Sequence, residues 1–470
     1  MRAWKNLAAP DDPTAWYDVN NMMPTPRGSY MTIPPTLGTA RTATGAGTVI
    51  IGFMADTLSS YVEWVFDSSK IWYFDGVSTY TDRTNSVAIG SNPFPIQYGN
   101  ITICAMGVGN ATVASTSGGN FAALAGAPQA EILAVCRGAV LAFNTNTSTD
   151  GWAASDVGDH TNWTTGESAS GRLLDTPGPI RAAITLDDSV YVFKGRGVYR
   201  GWYTGNAVKW AWDLINPDIG VAPGTGSPVT AKYGIAASDS LILFTARGNA
   251  ISGLRVCAMN SSGQYRVVNP ETSVTNSAYM IRYVSEFSCF TMVSMALTPN
   301  VAYIYSPQSD ALGYASAPYH ATDQAMPTMG HSNGNAFMQH PLGIGHRKTA
   351  ANELTRYLHD ETDATYAARS CYLQTAMVGS MQKKIRVTRL IPLVRRRTDK
   401  GTDSAALSVT MYRDISDTSA ARTEAVTEST TRKWFDFNLS DNFARFKVTW
   451  TAIDAEVDDF EFQGSGAGSN

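Results

Sequence analysis

A short apolar strand recurs along this chain, and that recurrence constrains the fold more than any single motif. It is clearest in Ile180–Gly205, IRAAITLDDSVYVFKGRGVYRGWYTG. This stretch reads as strand, two-residue acidic turn (Asp187, Asp188), strand, glycine-containing turn, strand. Its second strand, Val190 to Phe193, is made of β-branched and aromatic residues, which suit a pleated, packed surface. Relatives of that strand appear at Lys70–Phe74, Asn100–Ala105, Gly138–Phe143, Asp239–Phe244, Asn300–Tyr305 and, more weakly, Asn335–Gln339. The spacing is roughly 30 to 60 residues, the range of repeat architectures. One such unit cannot cover both faces of a small sheet. Stacking units around an axis covers both and leaves only short edges, which is the β-propeller solution. The expectation is therefore an all-β chain with a propeller of six or seven blades over residues 48–360.

What flanks that region differs in pattern. Residues 1–47 carry Pro10, Pro13, Pro24, Pro26, Pro34 and Pro35, and Gly38–Gly47 reads as a flexible connector. Yet the same stretch holds Trp4, Trp16, Tyr17, Met22, Met23, Tyr30 and Met31, residues that a disordered tail lacks. It reads as an extended arm, packed on its own domain or docked on a neighbouring subunit. Over residues 371–463 five segments alternate polar and apolar with period two, among them Ile385–Val394 and Ala444–Ala452. That pattern predicts antiparallel strands with one face in water, hence a small β-sandwich. Residues 464–470 read as a flexible tail. The one candidate for a short helix is Thr349–His359, where Leu354, Tyr357 and Leu358 share a face, although the same residues also suit a last propeller strand.

Chemistry is sparse. Charged residues make up 16% of the chain, below the usual quarter, and the net charge of -4 gives no general reason to expect nucleic-acid binding. The five cysteines form no CxxC pair, and four sit in apolar runs, so buried reduced thiols are expected. The start lacks an apolar core of signal-peptide length and no segment is apolar enough to span a bilayer. A soluble protein assembled in a reducing cytoplasm, with no membrane anchor, is the expectation. There is no phosphate loop, HExxH, GxSxG elbow or EF-hand loop. Histidines 320, 331, 340, 346 and 359 cluster, but at spacings that match no zinc signature. No catalytic, cofactor or metal residue is assigned.

Two features stand out against this background. Ser155–Trp163, SDVGDHTNW, resembles the Asp-box of sialidase-like propellers without its spacing; a turn that buries Trp163 accounts for it without catalysis. Paired acids suited to glycoside hydrolysis exist at Asp187/Asp188 and Asp458/Asp459, but beside strand ends, where turn chemistry explains them. The concentrated charge is basic: Lys383, Lys384, Arg386, Arg389, Arg395, Arg396, Arg397 and Lys400, interrupted only by Asp399. This is a solvated face of the β-sandwich, or a surface toward duplex DNA or an acidic partner subunit.

Several stretches resemble the tail hub proteins of short-tailed phages, also called nozzle or packaged-DNA stabilisation proteins. They are VNNMMPTPRGSYMTIP (Val19–Pro34), the ASDVGDHTNW turn, the VFKGRGVYRGWYTG strand pair, and Leu354–Asp360 followed by CYLQTAMV. The family's "P-G" step is replaced here by Pro34-Pro35. The resemblance implies a non-enzymatic virion protein forming a homohexameric ring below the portal and adaptor. Such a ring encloses double-stranded DNA without reading its sequence and carries tail fibres or spikes. It implies assembly in the host cytoplasm and residence in the virion tail. The other reading is a glycan-binding or glycan-degrading propeller at a tail tip.

Overall fold

The computed structural model describes the backbone of residues 2–3, 15–20, 22–32, 37–42, 49–56, 61–74, 80–116, 118–222, 234–247, 254–272, 279–284, 288–294, 301–316, 328–329, 344–350, 353–358, 370–375, 378–379, 384–396, 406–412, 422–427, 435–441, 443–451 and 455–467. Among them every regular element is a strand.

Six consecutive four-stranded antiparallel meanders carry the middle of the chain. Sheet I comprises Val49–Asp56, Tyr61–Asp67, Ile71–Phe74 and Tyr80–Asp82, with the two-residue strand Thr328–Met329 added parallel to Val49–Asp56; sheet II comprises Phe94–Tyr98, Ile101–Ala105, Val113–Thr116 and Ala122–Ala123. Sheet III holds Ala130–Cys136, Ala139–Thr145, Gly151–Ala154 and Ala169–Arg172; sheet IV holds Ile180–Leu186, Ser189–Lys194, Val198–Tyr203 and Trp210–Asn216. Sheet V is Ile235–Ala237, Leu241–Arg247, Leu254–Asn260 and Tyr265–Thr272; sheet VI is Tyr279–Val284, Cys289–Ser294, Val301–Ser306 and Ala311–Ser316. The first strands of successive sheets lie side by side, so the sheets fan outward from them in a propeller-like succession.

This arrangement explains the recurring apolar strand. Ile101–Ala105, Ala139–Thr145, Ser189–Lys194 and Leu241–Arg247 are the second strands of sheets II to V. Each lies inside a sheet that has a neighbour on both faces, and all six residues of Ser189–Lys194 are buried. A strand covered on both faces loses its alternation and becomes continuously apolar. In sheets I and VI the recurring segments, Ile71–Phe74 and Val301–Ser306, are third strands instead; residues 335–339 lie outside the described set. Aromatic pairs sit in the seams. Trp64 meets Phe121 between sheets I and II with centroids 4.9 Å apart, Phe143 meets Trp212 between III and IV at 6.1 Å, and Phe193 meets Phe244 between IV and V at 4.9 Å. The geometries are T-shaped or tilted, as ring quadrupoles prefer. The Asp187-Asp188 turn is the tight hairpin expected, with Leu186 paired to Ser189 and Asp187 at φ 51°.

The arm does not stand apart. Ala15–Asn20 enters a seven-stranded sheet with Arg2–Ala3, Ser370–Thr375, Val378–Gly379, Phe443–Thr451, Ala406–Tyr412 and Arg422–Thr427. The hairpin Met22–Pro24 and Tyr30–Thr32 pairs on one side with the last strand of sheet VI and on the other with Ala455–Ala467. Beyond that come Lys384–Arg396 and Phe435–Asp441, which completes a nine-stranded sheet running from sheet VI into the C-terminal region.

Two expectations are corrected here and one alternative is decided. Leu37–Thr42, which overlaps the stretch Gly38–Gly47 read as a flexible connector, is a strand paired along its length with Glu353–Leu358. That partner belongs to Thr349–His359, read either as a short helix or as a strand; its described residues are strand, in a hairpin of Ile344–Ala350 and Glu353–Leu358. Thr349, Thr355 and Tyr357 favour the extended backbone, and pairing on both sides decides it. The tail also begins later than expected, since Gly464 to Ala467 pair with Val387 to Lys384.

Candidate interaction surfaces

The basic run lies mostly on Lys384–Arg396, a strand bonded on both sides. A bulge between Val387 and Arg389 shifts its register, and a second shift falls between Leu393 and Val394. Val387 is in register with Leu439, Leu390 with Phe435 and Phe462, Pro392 with Phe460 and Val394 with Val457. Arg395 is in register with Glu456 and Arg389 with Asp436, while Asp459 and Glu461 are in register with Leu393 and Ile391. Arg396 is opposite Ala455. Lys383, Arg397 and Lys400 lie outside the described residues. The acids in register with this strand are invisible in the local sequence because they lie on two distant strands, Phe435–Asp441 and Ala455–Ala467.

In the arm, Met22 and Tyr30 are fully buried within the chain itself. Met22 is in register with Tyr314 of sheet VI, and the Tyr30 hydroxyl donates to the Leu312 carbonyl at 3.4 Å. Between them the turn at Thr25–Ser29 closes with a Thr25 Oγ1 to Ser29 Oγ hydrogen bond of 2.5 Å and Gly28 at φ 87°. Trp16 is in register with Thr375 and Met23 with Met31; Tyr17 lies at the shift in register beside Trp16, and Trp4 is outside the described residues.

The acids singled out from sequence sit in turns. Asp188 forms an exposed ion pair at 2.6 Å with Arg137, which occupies the equivalent hairpin turn of sheet III. In SDVGDHTNW, Asp156 Oδ1 accepts from the backbone of Val157 and Glu167 at 2.9 and 2.8 Å, and Asp159 Oδ1 accepts from Thr161. The Trp163 indole donates to the His160 carbonyl at 2.8 Å, and its ring packs on the core of sheets I–IV. Asp156 Oδ2 also accepts from the Asn162 side-chain amide at 3.1 Å, so these bonds shape the loop. Asp458 and Asp459 lie in the strand Ala455–Ala467.

Sequence reading missed the polar clamps between strands and sheets. Lys194 is wholly buried; its ammonium donates to the carbonyls of Leu173 and Thr176 and lies 5.7 Å from the Tyr199 ring centroid. Burial pushes its pKa down, and Asp150 pulls it back. Asp150 itself takes a bidentate pair from Arg172 at 2.7 and 2.9 Å, which holds its carboxyl down at about 2. Across sheets V and VI, Arg266 binds both Asp310 and the buried Tyr305 hydroxyl. Burial raises the Tyr305 pKa. The sequence signal for the first clamp was a lone lysine at the end of an apolar strand, VYVFK.

Among the described residues no three His, Cys, Asp or Glu side chains come together as a metal site. His346 lies in the strand Ile344–Ala350; the other four clustered histidines fall outside the described residues. The five cysteines are all buried and none is in a disulfide. Burial pushes the thiols of Cys136 and Cys257 up to about 11 and that of Cys289 to about 12, far from nucleophilic range at neutral pH. Among the described residues no helix is long and apolar enough to cross a membrane.

No family model matches the chain, and no curated protein matches it. Solved structures resemble it at low identity. Virginiamycin B lyase from Staphylococcus aureus aligns over 69% of this chain and 99% of its own, with 8% identity and a TM-score of 0.46. The extracellular domain of a putative hybrid two-component system from Bacteroides thetaiotaomicron aligns over 81% of this chain and 44% of its own, at 11% identity and a TM-score of 0.42. An auxiliary nutrient binding protein from Bacteroides ovatus aligns over 58% and 74%, at 14% and 0.37. The sheets and their order, rather than these likenesses, define the architecture described above: all-β, with antiparallel four-stranded sheets in propeller-like succession.

Proposed function

We propose that this chain is a structural connector, the tail hub or nozzle of a short-tailed phage. In this reading it forms a homo-oligomeric ring, a hexamer by the family resemblance. The ring extends the DNA exit channel below portal and adaptor, helps retain the genome and anchors fibres or spikes. The observation that carries the proposal is the nine-stranded sheet through Tyr30. Hydrogen bonding runs from sheet VI across the arm hairpin into the basic strand Lys384–Arg396, so load on one region passes to the other through strand pairing. The propeller is read as seven units. The seventh is the separate three-stranded sheet of Ile344–Ala350, Glu353–Leu358 and Leu37–Thr42, whose edge strand comes from the arm. In a propeller, an N-terminal strand that completes the last sheet ties the ends of the circle together. The two C-terminal sheets form the sandwich. Tight phosphate binding would obstruct DNA exit, and the mixed charge opposite Arg389 and Arg395 suits a surface that contacts without gripping.

The test is negative-stain imaging of the purified protein mixed with portal and adaptor. Joining the portal–adaptor ring is the expected result, and persistent independence from both sinks the reading. Binding or cleavage of capsular or lipopolysaccharide glycans by the isolated oligomer would favour the tip-propeller reading instead.

A further inference from the structure

The fourth strands of sheets II to V lie at the ends of their sheets, and Tyr265 and Val267 on that of sheet V are exposed. Sheet VI differs: beyond its fourth strand, Ala311–Ser316, comes the arm hairpin, and Ala311 and Leu312 are buried. Four neighbouring sheets stand with that edge open, so sheet VI has no need of the arm to stay folded. On the far side of the hairpin, Ala455–Ala467 is paired with Lys384–Arg396 from end to end. That pair of long strands is equally independent of the arm.

Between these two bodies the nine-stranded sheet narrows to a neck. Among the described residues, Met22 with Tyr314 is the one register pair that joins the hairpin to sheet VI. Tyr30 with Val457 and Met31 with Glu456 join it to the C-terminal strands. Pro24 has no N–H to give to either neighbour. By contrast, Leu37–Thr42 is paired along its length with Glu353–Leu358. Burial does most of the holding at the neck. Met22 and Tyr30 are buried, and Arg2–Ala3 and Ala15–Asn20 lie against Ala311–Ser316 without pairing to it. Apolar contacts are non-directional, so they part without leaving a long ladder of unmet backbone groups. The turn of the hairpin is closed by its own bonds: the Thr25 amide donates to the Ser29 carbonyl at 2.8 Å and the Gly28 amide to the Thr25 carbonyl at 3.0 Å. At its tip Pro26 and Arg27 are exposed.

We propose that the hairpin Met22–Thr32 is a latch: it releases Ala311–Ser316 as one unit and lets the C-terminal sheets part from sheet VI while both stay folded. Leu37–Thr42, held by its own full-length pairing, keeps the arm tethered when the latch is open. The latch stands on strand pairing and does not depend on the hub reading.

Trypsin cleavage after Arg27, read by mass spectrometry, tests this in the unmodified full-length protein. A protease needs an extended segment, which the closed turn does not offer, so the cut reports the open population. Cleavage is expected at denaturant concentrations well below those that unfold the propeller, followed by the fluorescence of Trp64, Trp152, Trp210 and Trp212 in sheets I, III and IV. A Met22→Cys, Tyr314→Cys pair, in register and oxidised to a disulfide, should slow the cut by about tenfold or more. The reduced form of the same variant should be cut at least as fast as wild type, which separates locking from damage. The native thiols are buried and in no disulfide, so reductant leaves them unchanged. A cut after Arg27 that appears only with global unfolding, or that runs equally fast with the lock closed, overturns the latch.

Discussion

The Lys194 ammonium donates to the Thr176 carbonyl at 2.6 Å from inside a strand with no exposed residue. With its second bond to Leu173, it fixes the segment that leads from sheet III into sheet IV. Lys194→Met fills the space but leaves two buried carbonyls without donors, and should cost about 2–4 kcal/mol in denaturant unfolding. The ammonium is easier to deprotonate in the fold than in the unfolded chain. The unfolded chain therefore binds the proton more tightly, and the cost is fully present below the folded pKa. It is relieved as pH rises through that value toward the ordinary lysine range. The advantage of wild type over Lys194→Met should widen over that alkaline window. A gap that narrows there would contradict this account.

Asp150 responds in the opposite sense. Its carboxyl is held down at about 2, first by Arg172 and then by Ser148. The stability it supplies is present above the ordinary carboxylate range and is lost as pH falls toward 2. Asp150→Asn should lower stability at pH 7 by about 1 kcal/mol, because Arg172 is partly in water. It should cost progressively less at lower pH, and acid titrations of both proteins followed by fluorescence measure the convergence.

Gly201 sits in mid-strand beneath Trp212, and a Cβ there would lie 2.4 Å from the indole ring. The ring also contacts Trp152, with centroids 5.2 Å apart. Gly201→Val should force it out of the seam, costing about 1–3 kcal/mol and changing the near-ultraviolet circular dichroism. In the Trp212→Ala background the same substitution should cost much less; an undiminished penalty would assign the effect to the backbone.

Tyr30 separates packing from hydrogen bonding. Its ring is buried, and its hydroxyl donates a long bond to the Leu312 carbonyl. Tyr30→Phe should cost less than about 1 kcal/mol. Tyr30→Ala should cost about 3–5 kcal/mol and expose the joint between sheet VI and the C-terminal strands to limited proteolysis. Equal, small losses for both variants would mean that the arm adds little to that joint.

The sequence by itself determined the local matters. Val190 to Phe193 could only be a buried strand, Asp187-Asp188 only a tight turn, and their repetition called for radial sheets. Gly197 behaves as a turn glycine at φ 108°, but Gly201 does not: it is an extended residue that makes room for Trp212, a contact no turn rule contains. The tertiary structure decided what lies far apart in the chain. Tyr30 meets Leu312 across 282 residues, and Leu37–Thr42 finds Glu353–Leu358 and decides between the helix and strand readings of that segment. Strand pairing sets Arg389 in register with Asp436, an acid from a distant strand. Pairing energy depends on register between strands, and nothing in local composition encodes which distant strand will supply it.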